Sequence, residues 1–319
     1  MLTSHAFQRL IIIITVLVMT SCGSANAALP QRVIRLSDLR PLQTTPVTST
    51  VSLRVAVAAV ISPRGTTESY QPLLDYLAAK LDRPIELVQR RTYAEVNQLI
   101  QNGQVDLAFV CTSAYVEGHD QFGMQLLAAP QVSGQTTYHS VLIVPADSSV
   151  NNLSDLRGKV FAFTDPMSLS GRMYPTWLIR EFGTTPDQFF ARTFFTYSHD
   201  DAIHAVADHL ADGAMVDSLV YDFAVARNPE LGRQTRLVLR SPPFGIPPIV
   251  VGPNVRPQVI ATLQALLLGM TQDSSPESLS ALRALGVDGF VTIDDADYTS
   301  VRELLGKLAQ IEQTTGFAP

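Results

Sequence analysis

Two serines, one residue apart, stand just ahead of a helical pattern in Asp165-Pro-Met-Ser-Leu-Ser-Gly-Arg-Met-Tyr-Pro175. The apolar run Val160 to Phe163 before them reads as a buried strand, and Met173 to Phe182 reads as a helix. Strand, small-hydroxyl turn and helix start together make an anion cradle. The first backbone N–H groups of a helix have no partner within it, and its dipole favours negative charge there. Ser168 and Ser170 each have a hydroxyl to donate, and Gly171 permits close backbone approach. The same residues also suit an ordinary helix cap, and the segment alone leaves both readings open.

Further chemistry is scattered along the chain. His199 opens the helical stretch His-Asp-Asp-Ala-Ile-His-Ala-Val after a strand, where a protonated or N–H-donating imidazole suits an anion and a cap is the alternative. His199, His204 and His209 are five apart, so they rotate away from one another, and no metal site is expected. Asp217 and Asp222 flank Ser218-Leu-Val-Tyr221, and Asp217 reads as a helix N-cap. Ser168 or Ser170 with His199 and Asp222 could in principle form a hydrolase triad. The G-x-S-x-G elbow and the H-E-x-x-H pattern are both missing from the sequence. No catalytic residues and no cofactor are expected, and a periplasmic serine hydrolase stays as the rival from another class.

The elements that must place these residues alternate. Strands are expected at Leu53–Val60, Ile85–Val88, Val105–Val110, Ser140–Val144, Val160–Phe163, Thr193–Thr196 and Ala214–Val216. Helices are expected at Tyr70–Leu81, Tyr93–Gln101, Met173–Phe182 and Ala202–Leu210. Alternating β and α predicts an α/β protein of two lobes, each a mostly parallel sheet covered by helices. Ligands of open α/β sheets bind beyond the carboxyl ends of the strands, so the cleft between lobes is the expected site. Cys111, in the apolar run Leu107-Ala-Phe-Val-Cys, reads as a small buried hydrophobe.

Composition agrees with an exported globule. The 319 residues are 46% hydrophobic and 16% charged, with a net charge of −6 and no basic run, which argues against nucleic acid. Leu10 to Met19 is too short to span a membrane and fits the apolar core of a signal peptide. Thr20-Ser21-Cys22-Gly23 resembles a lipobox with Cys22 lipidated, while Ala25-Asn26-Ala27 offers a competing cleavage site that releases a soluble chain. With Cys22 lipidated, Cys111 has no partner and no disulfide is expected. Residues 28–52, rich in Thr, Ser and Pro, read as a flexible tether.

Several motifs resemble one family. Tyr138-His-Ser-Val-Leu-Ile-Val-Pro-Ala-Asp-Ser148, Asn152-Leu-Ser-Asp-Leu-Arg-Gly-Lys-Val-Phe-Ala-Phe163 and Asp165 to Gly171 are similar to the phosphate/phosphite/phosphonate-binding receptors of ABC transporters. Tyr197-Ser-His-Asp-Asp-Ala-Ile203 and Arg240-Ser-Pro-Pro-Phe-Gly-Ile-Pro-Pro248 continue the likeness in the family's order. The resemblance implies a type II periplasmic-binding fold whose lobes close on an oxyanion. Lobe 1 is expected at 53–137 plus 249–319 and lobe 2 at 138–248, with crossovers near Gly134–Tyr138 and Ser241–Pro248.

Roles follow from the resemblance position by position. Ser168, the backbone N–H of Leu169, Ser170 and Gly171 would hold the anion, with Tyr138 and His199 at further ligand-contact positions. Thr112 or Ser113 would bond the ligand from lobe 1, and Asp222 would meet its substituent. Leu169 stands where many members have Thr, which would favour a ligand with an apolar P–H or P–CH₃ face. Asp222 would accept a hydrogen bond from a P–OH or an ammonium group and reject sulfate. Ser168→Ala and Ser170→Ala would weaken binding alike and leave the stability of the empty protein nearly unchanged. Arg172 either forks toward the anion or lies on the helix exterior. The implied partners are a small oxyanion, the permease and ATPase of an importer, and the membrane through the lipid anchor, for a monomeric receptor. A receptor that signals to a sensor is the alternative within the same fold.

Overall fold

The computed structural model describes residues 52–315. Its first lobe begins β1 (Leu53–Val57), α1 (Pro63–Leu81), β2 (Ile85–Gln89), α2 (Tyr93–Gln101), β3 (Leu107–Phe109), α3 (Thr112–Phe122) and β4 (Gln125–Gln131). After β5 (Thr137–Tyr138) come β6 (Ser140–Pro145), β7 (Val160–Phe163), α4 (Tyr174–Glu181), α5 (Pro186–Phe189), β8 (Arg192–Phe195) and α6 (His199–Ala207). Then follow β9 (Gly213–Asp217), α7 (Ser218–Arg227), α8 (Pro229–Gln234) and β10 (Thr235–Arg240). The chain returns through β11 (Phe244–Gly245) to β12 (Ile249–Val251), α9 (Pro257–Gly269), α10 (Pro276–Leu285), β13 (Gly289–Val291) and α11 (Thr299–Thr315).

Among the described residues the strands form a six-stranded sheet, β13-β4-β12-β3-β1-β2, a five-stranded sheet, β10-β6-β9-β7-β8, and the ribbon β11-β5. The pairings make β1, β2, β3 and β4 run one way, with β12 and β13 reversed. In the second sheet β7, β8, β9 and β10 run together and β6 is reversed. Most strands of each sheet thus share one direction, yet the sheets are mixed rather than mostly parallel as expected. Three of the five pairs in the first and two of the four in the second are antiparallel, because β6 and β12, the strands the chain enters straight from the ribbon, and β13 run the other way. A parallel pair needs a covering crossover, usually a helix, whereas β12 slots between β3 and β4 without one. The ribbon carries the chain both ways between lobes, with Phe244 opposite Tyr138 and Gly245 opposite Thr137.

Three clusters make the core. One lies behind the first sheet around Leu73, Leu77, Ile249 and Leu267, and another behind the second around Ile143, Ile203 and Val216. The largest faces inward from both lobes and joins Tyr93, Cys111, Tyr115 and Tyr138 to Phe161, Phe163, Leu169 and Met215. The candidate site is embedded in that shared core. Away from the ribbon, hydrogen bonds among the described residues that cross between the lobes include His199 N–H to Val60 O (2.9 Å), Ser62 N–H to Asp200 Oδ1 (2.8 Å), Tyr93 N–H to Asp165 Oδ2 (3.1 Å), and Ser113 Oγ to Met167 O. The Arg91 guanidinium also lies 3.9 Å from the centre of the Tyr197 ring. The lobes are closed.

Some boundaries differ from the sequence expectation. Helix α1 starts at Pro63 rather than Tyr70, because Ser62 caps it and Pro63 fits its first turn, and it continues through Pro72. Helix α6 spans His199–Ala207. It starts at the His199 read as opening the helical stretch, three residues before the apolar pattern at Ala202, because Ser198 caps it. It stops short of Leu210, where His209 (φ 57°) turns the chain left-handed. Strands β4, β10, β12 and β13 were not anticipated. The leader, Cys22 and the tether up to residue 51 lie outside the described residues. No helix among the described residues is long and apolar enough to cross a membrane.

Candidate functional site

The serine turn hangs between β7 and α4 as one π-helical turn, Leu169–Met173. Asp165 shapes its entry, Oδ1 accepting the Met167 N–H at 2.7 Å and Oδ2 the Tyr93 N–H across the cleft. Ser168 caps the turn, its Oγ accepting from the Gly171 N–H at 3.1 Å. A Cβ on Gly171 would sit 1.9 Å from Thr164 Oγ1, so glycine is required here for close packing. Both readings of Ser168 thus meet in one residue, because capping uses only a lone pair and leaves the hydroxyl hydrogen.

That hydrogen is directed by His199. The imidazole is almost wholly buried, and its Nδ1 accepts the Asp217 N–H at 3.0 Å. The proton must then sit on Nε2, which faces Ser168 Oγ at 3.4 Å. Burial pushes the imidazole down to about 3, so at neutral pH it is an uncharged N–H donor and not a cation. Ser168 Oγ accepts from two N–H groups, which leaves its own O–H available as a donor.

Four buried hydroxyls among the described residues make no well-formed hydrogen bond: Thr164 Oγ1, packed against Gly171 of the serine turn, and Tyr93 Oη, Tyr138 Oη and Ser170 Oγ at the junction of the lobes. Tyr138 Oη lies beside the hydroxyls of Thr112 and Ser170. Burial drives both phenols well above their ordinary value, so the three groups at the junction are neutral donors. Orphaned buried hydroxyls are costly, and a cluster of them at a lobe junction signals a missing acceptor. Tyr93 was not expected from sequence. The signal was there: it is the first residue of α2, straight after the N-cap Thr92 of a Thr92/Glu95 capping box.

Other expected residues take different places. Ser113 donates to Met167 O of the opposite lobe and so ties the lobes together. Thr112 donates to Gly245 O of the crossover ribbon at 2.9 Å. The Leu169 side chain is fully buried in the shared core and offers no apolar wall to a ligand; its N–H faces the Cys111 thiol. Cys111 is buried as expected, yet it caps α3 next to the serine turn, 3.7 Å from Ser113 Oγ. Arg172 stacks its guanidinium 4.4 Å from the centre of the Phe163 ring and donates to Thr176 Oγ1.

Asp217 caps α7, its Oδ1 accepting from Leu219 N–H (2.7 Å) and Val220 N–H (3.4 Å). Burial, partly offset by those two N–H groups, pushes its carboxyl up to about 7. Asp222 is exposed one turn further along; partial burial raises its carboxyl, and the charges of Arg240 and His139 oppose the rise. Both aspartates line a cavity of about 320 Å³ within the cleft, walled by Tyr70, Phe109, Phe223 and Phe290. No group of three or more His, Cys, Asp or Glu side chains among the described residues is placed to hold a metal ion.

Comparison with known proteins adds a family, two relatives and two solved structures. The profile of a family described as "ABC transporter, phosphonate, periplasmic substrate-binding protein" matches residues 55–298. A phosphate-import protein, PhnD, of Mycolicibacterium smegmatis is 30% identical over 74% of this chain and 79% of its own length. A phosphonates-binding periplasmic protein of Escherichia coli is 26% identical over 79% of this chain and 75% of its own length. Among solved structures, a binding-protein component of an ABC phosphonate transporter from Pseudomonas aeruginosa superposes with a TM-score of 0.76 at 21% identity, covering 82% of this chain and 87% of that one. PhnD1 of Prochlorococcus marinus, in complex with methylphosphonate, gives 0.73 at 18% identity, covering 81% and 98%. At those identities the structures speak for the fold alone, and that fold is the two-lobed periplasmic-binding one.

Proposed function

The chain belongs to the periplasmic phosphonate-binding proteins of ABC transporters, and on that premise we propose that it captures a phosphonate, phosphite or phosphate between its lobes at the Ser168–Gly171 turn. The observation that carries this reading is the trio of orphaned buried hydroxyls, Tyr93 Oη, Tyr138 Oη and Ser170 Oγ. A tetrahedral oxyanion offers several acceptor oxygens at once. The O–H of Ser168, oriented by the neutral His199, supplies a further donor.

No lysine or arginine is needed to hold the charge. Hydroxyl donors fixed in a water-poor cleft stabilise an anion as charge-assisted hydrogen bonds, each stronger than a neutral pair. Closure of the lobes brings Tyr93 from one side and Ser170 from the other onto the same ligand, as a hinged receptor requires. The closed form is then what the permease and ATPase of an importer recognise. The family places the protein outside the cytoplasm, and a lipid on Cys22 would hold the monomeric receptor at the membrane surface. A thermal-shift screen with phosphate, phosphite, methylphosphonate, aminoethylphosphonate and sulfate tests the ligand class. A ligand that binds only the native state raises the melting temperature, so a phosphorus oxyanion should shift it and sulfate should not. Equal shifts with sulfate would overturn the assignment.

A further inference from the structure

The loops that lead into α2 and α6 meet across the cleft. Arg91 of lobe 1 stands two residues ahead of Tyr93, and Tyr197 of lobe 2 stands two residues ahead of His199. The Arg91 guanidinium lies 3.9 Å from the centre of the Tyr197 ring. Both residues line an open hollow of about 430 Å³ with Pro63, Arg90, Phe195 and Asp201. Neither the serine turn nor Tyr93, Tyr138 or His199 lines that hollow, so the contact lies apart from the anion donors.

Tyr197 has a left-handed backbone (φ 65°), which suits glycine and penalises a bulky side chain. Lobe 2 alone imposes it. The Tyr197 N–H donates to Thr164 O at 3.0 Å, the Thr196 N–H to Phe163 O at 2.9 Å, and Thr196 Oγ1 to Ser198 O at 2.7 Å. The ring is therefore aimed by its own lobe, and closure need not order it. Such strain persists where the surroundings over-determine it, and it clusters at clamps and switches.

Arg91 is exposed and makes no ion pair among the described residues. Asp201, the carboxylate of the hollow, is engaged by Ser198 Oγ at 2.7 Å. The ring face is thus the partner the guanidinium finds. Because the two residues belong to different lobes, their contact stabilises the closed form and contributes nothing to an open one.

Resting on the reading that an anion is held between the lobes, we propose that Arg91 and Tyr197 form a latch, a positioning pair that touches no ligand and sets how long the closed form persists. Apparent affinity scales with the population of the binding-competent form, so the latch strengthens every ligand by one common factor. A guanidinium over a ring at an exposed site is worth about two- to fivefold.

Stopped-flow release and calorimetric titration with phosphate and methylphosphonate test this, beside small-angle scattering of the empty protein. Arg91→Ala and Tyr197→Ala should each release both anions about two- to fivefold faster and bind them that much more weakly, with the ratio of the two affinities unchanged. The double variant should lose no more than either single one, since both remove the same contact. Tyr197→Phe, which keeps the ring, should match wild type. Empty Arg91→Ala should be more expanded than empty wild type. Wild-type affinity and scattering in Arg91→Ala would overturn the latch. Losses that add in the double variant, or a changed affinity ratio, would overturn it too, by giving the residues separate tasks or placing one on the ligand. If wild type binds neither anion, the underlying reading fails, and the scattering of empty Arg91→Ala still decides the latch.

Discussion

His199 takes the backbone N–H of Asp217 on Nδ1 and so turns its Nε2–H toward Ser168. One hydrogen bond from the last residue of a strand thereby sets the tautomer of a buried imidazole and the direction of a ligand-facing hydroxyl. His199→Asn keeps a short acceptor for the Asp217 N–H but loses the Nε2 donor. It should fold and bind methylphosphonate about tenfold or more weakly, because Ser168 loses the partner that directs its O–H at the charged ligand. His199→Ala should in addition lose about 1–3 kcal/mol of stability, because the buried N–H is left unpaired. Chemical denaturation beside titration separates the two effects; equal stability of the two variants would contradict the role given to Nδ1.

The same pair predicts an unusual pH response. Burial raises Asp217 from 3.8 to about 7, so alone its contribution is full below pH 3.8 and lost as pH rises toward 7. Burial lowers His199 from 6.5 to about 3, so alone its contribution is full above pH 6.5 and lost as pH falls toward 3. Between about pH 4 and 6.5 the slopes oppose and cancel, since folded and unfolded states each hold one proton on the pair. Asp217→Asn should make stability rise with pH across that window, and His199→Asn should make it fall, each by up to about 1.4 kcal/mol per pH unit. Wild-type profiles in both variants would contradict the buried, neutral pair.

Ser168 and Ser170 should part company on mutation, contrary to the equal behaviour expected from sequence. Ser168→Ala removes a cap and should cost about 0.5–2 kcal/mol of stability as well as affinity. Ser170→Ala removes a hydroxyl that makes no well-formed bond and meets the Tyr138 hydroxyl, so stability should change little. Affinity should fall by about one to two orders of magnitude in both. Thermal melts of the two empty variants decide it, and equal losses would count against the orphan status of Ser170 Oγ.

How much of this was legible beforehand depended on how local each feature is. The serine turn lies within a dozen residues, between one strand and one helix, and it could be read directly, as could the start of α6 at His199. Tyr93 offered only its place after the Thr92/Glu95 capping box, because its hydroxyl gains meaning when Ser170 and Tyr138 arrive from elsewhere. Ser113 was read as a ligand donor for the same reason: nothing near it announces Met167 of the other lobe. Strands β12 and β13 are three residues each, too short for periodicity to show, and β12 directly follows Pro247-Pro248.

Asp165 should govern closure. Asp165→Asn keeps an acceptor for the Met167 N–H, so the turn survives, but it sets an NH₂ against the Tyr93 N–H across the cleft. The variant should be more expanded than wild type in small-angle scattering, both empty and with methylphosphonate, and bind about tenfold or more weakly. Identical scattering profiles would show that this bond does not hold the lobes together.

The central claim is that Tyr93, Tyr138 and Ser170 hold buried hydroxyls without a well-formed hydrogen bond so that they can bind an oxyanion. Its most direct test is the melting temperature of the triple variant Tyr93→Phe, Tyr138→Phe, Ser170→Ala, with and without saturating methylphosphonate. Removing orphaned polar atoms relieves a desolvation cost, so the empty variant should melt at or above the wild-type temperature. The methylphosphonate-induced shift should vanish. An empty variant that melts lower and keeps the ligand shift would contradict the account: the three hydroxyls would then serve the fold, and the anion would bind elsewhere.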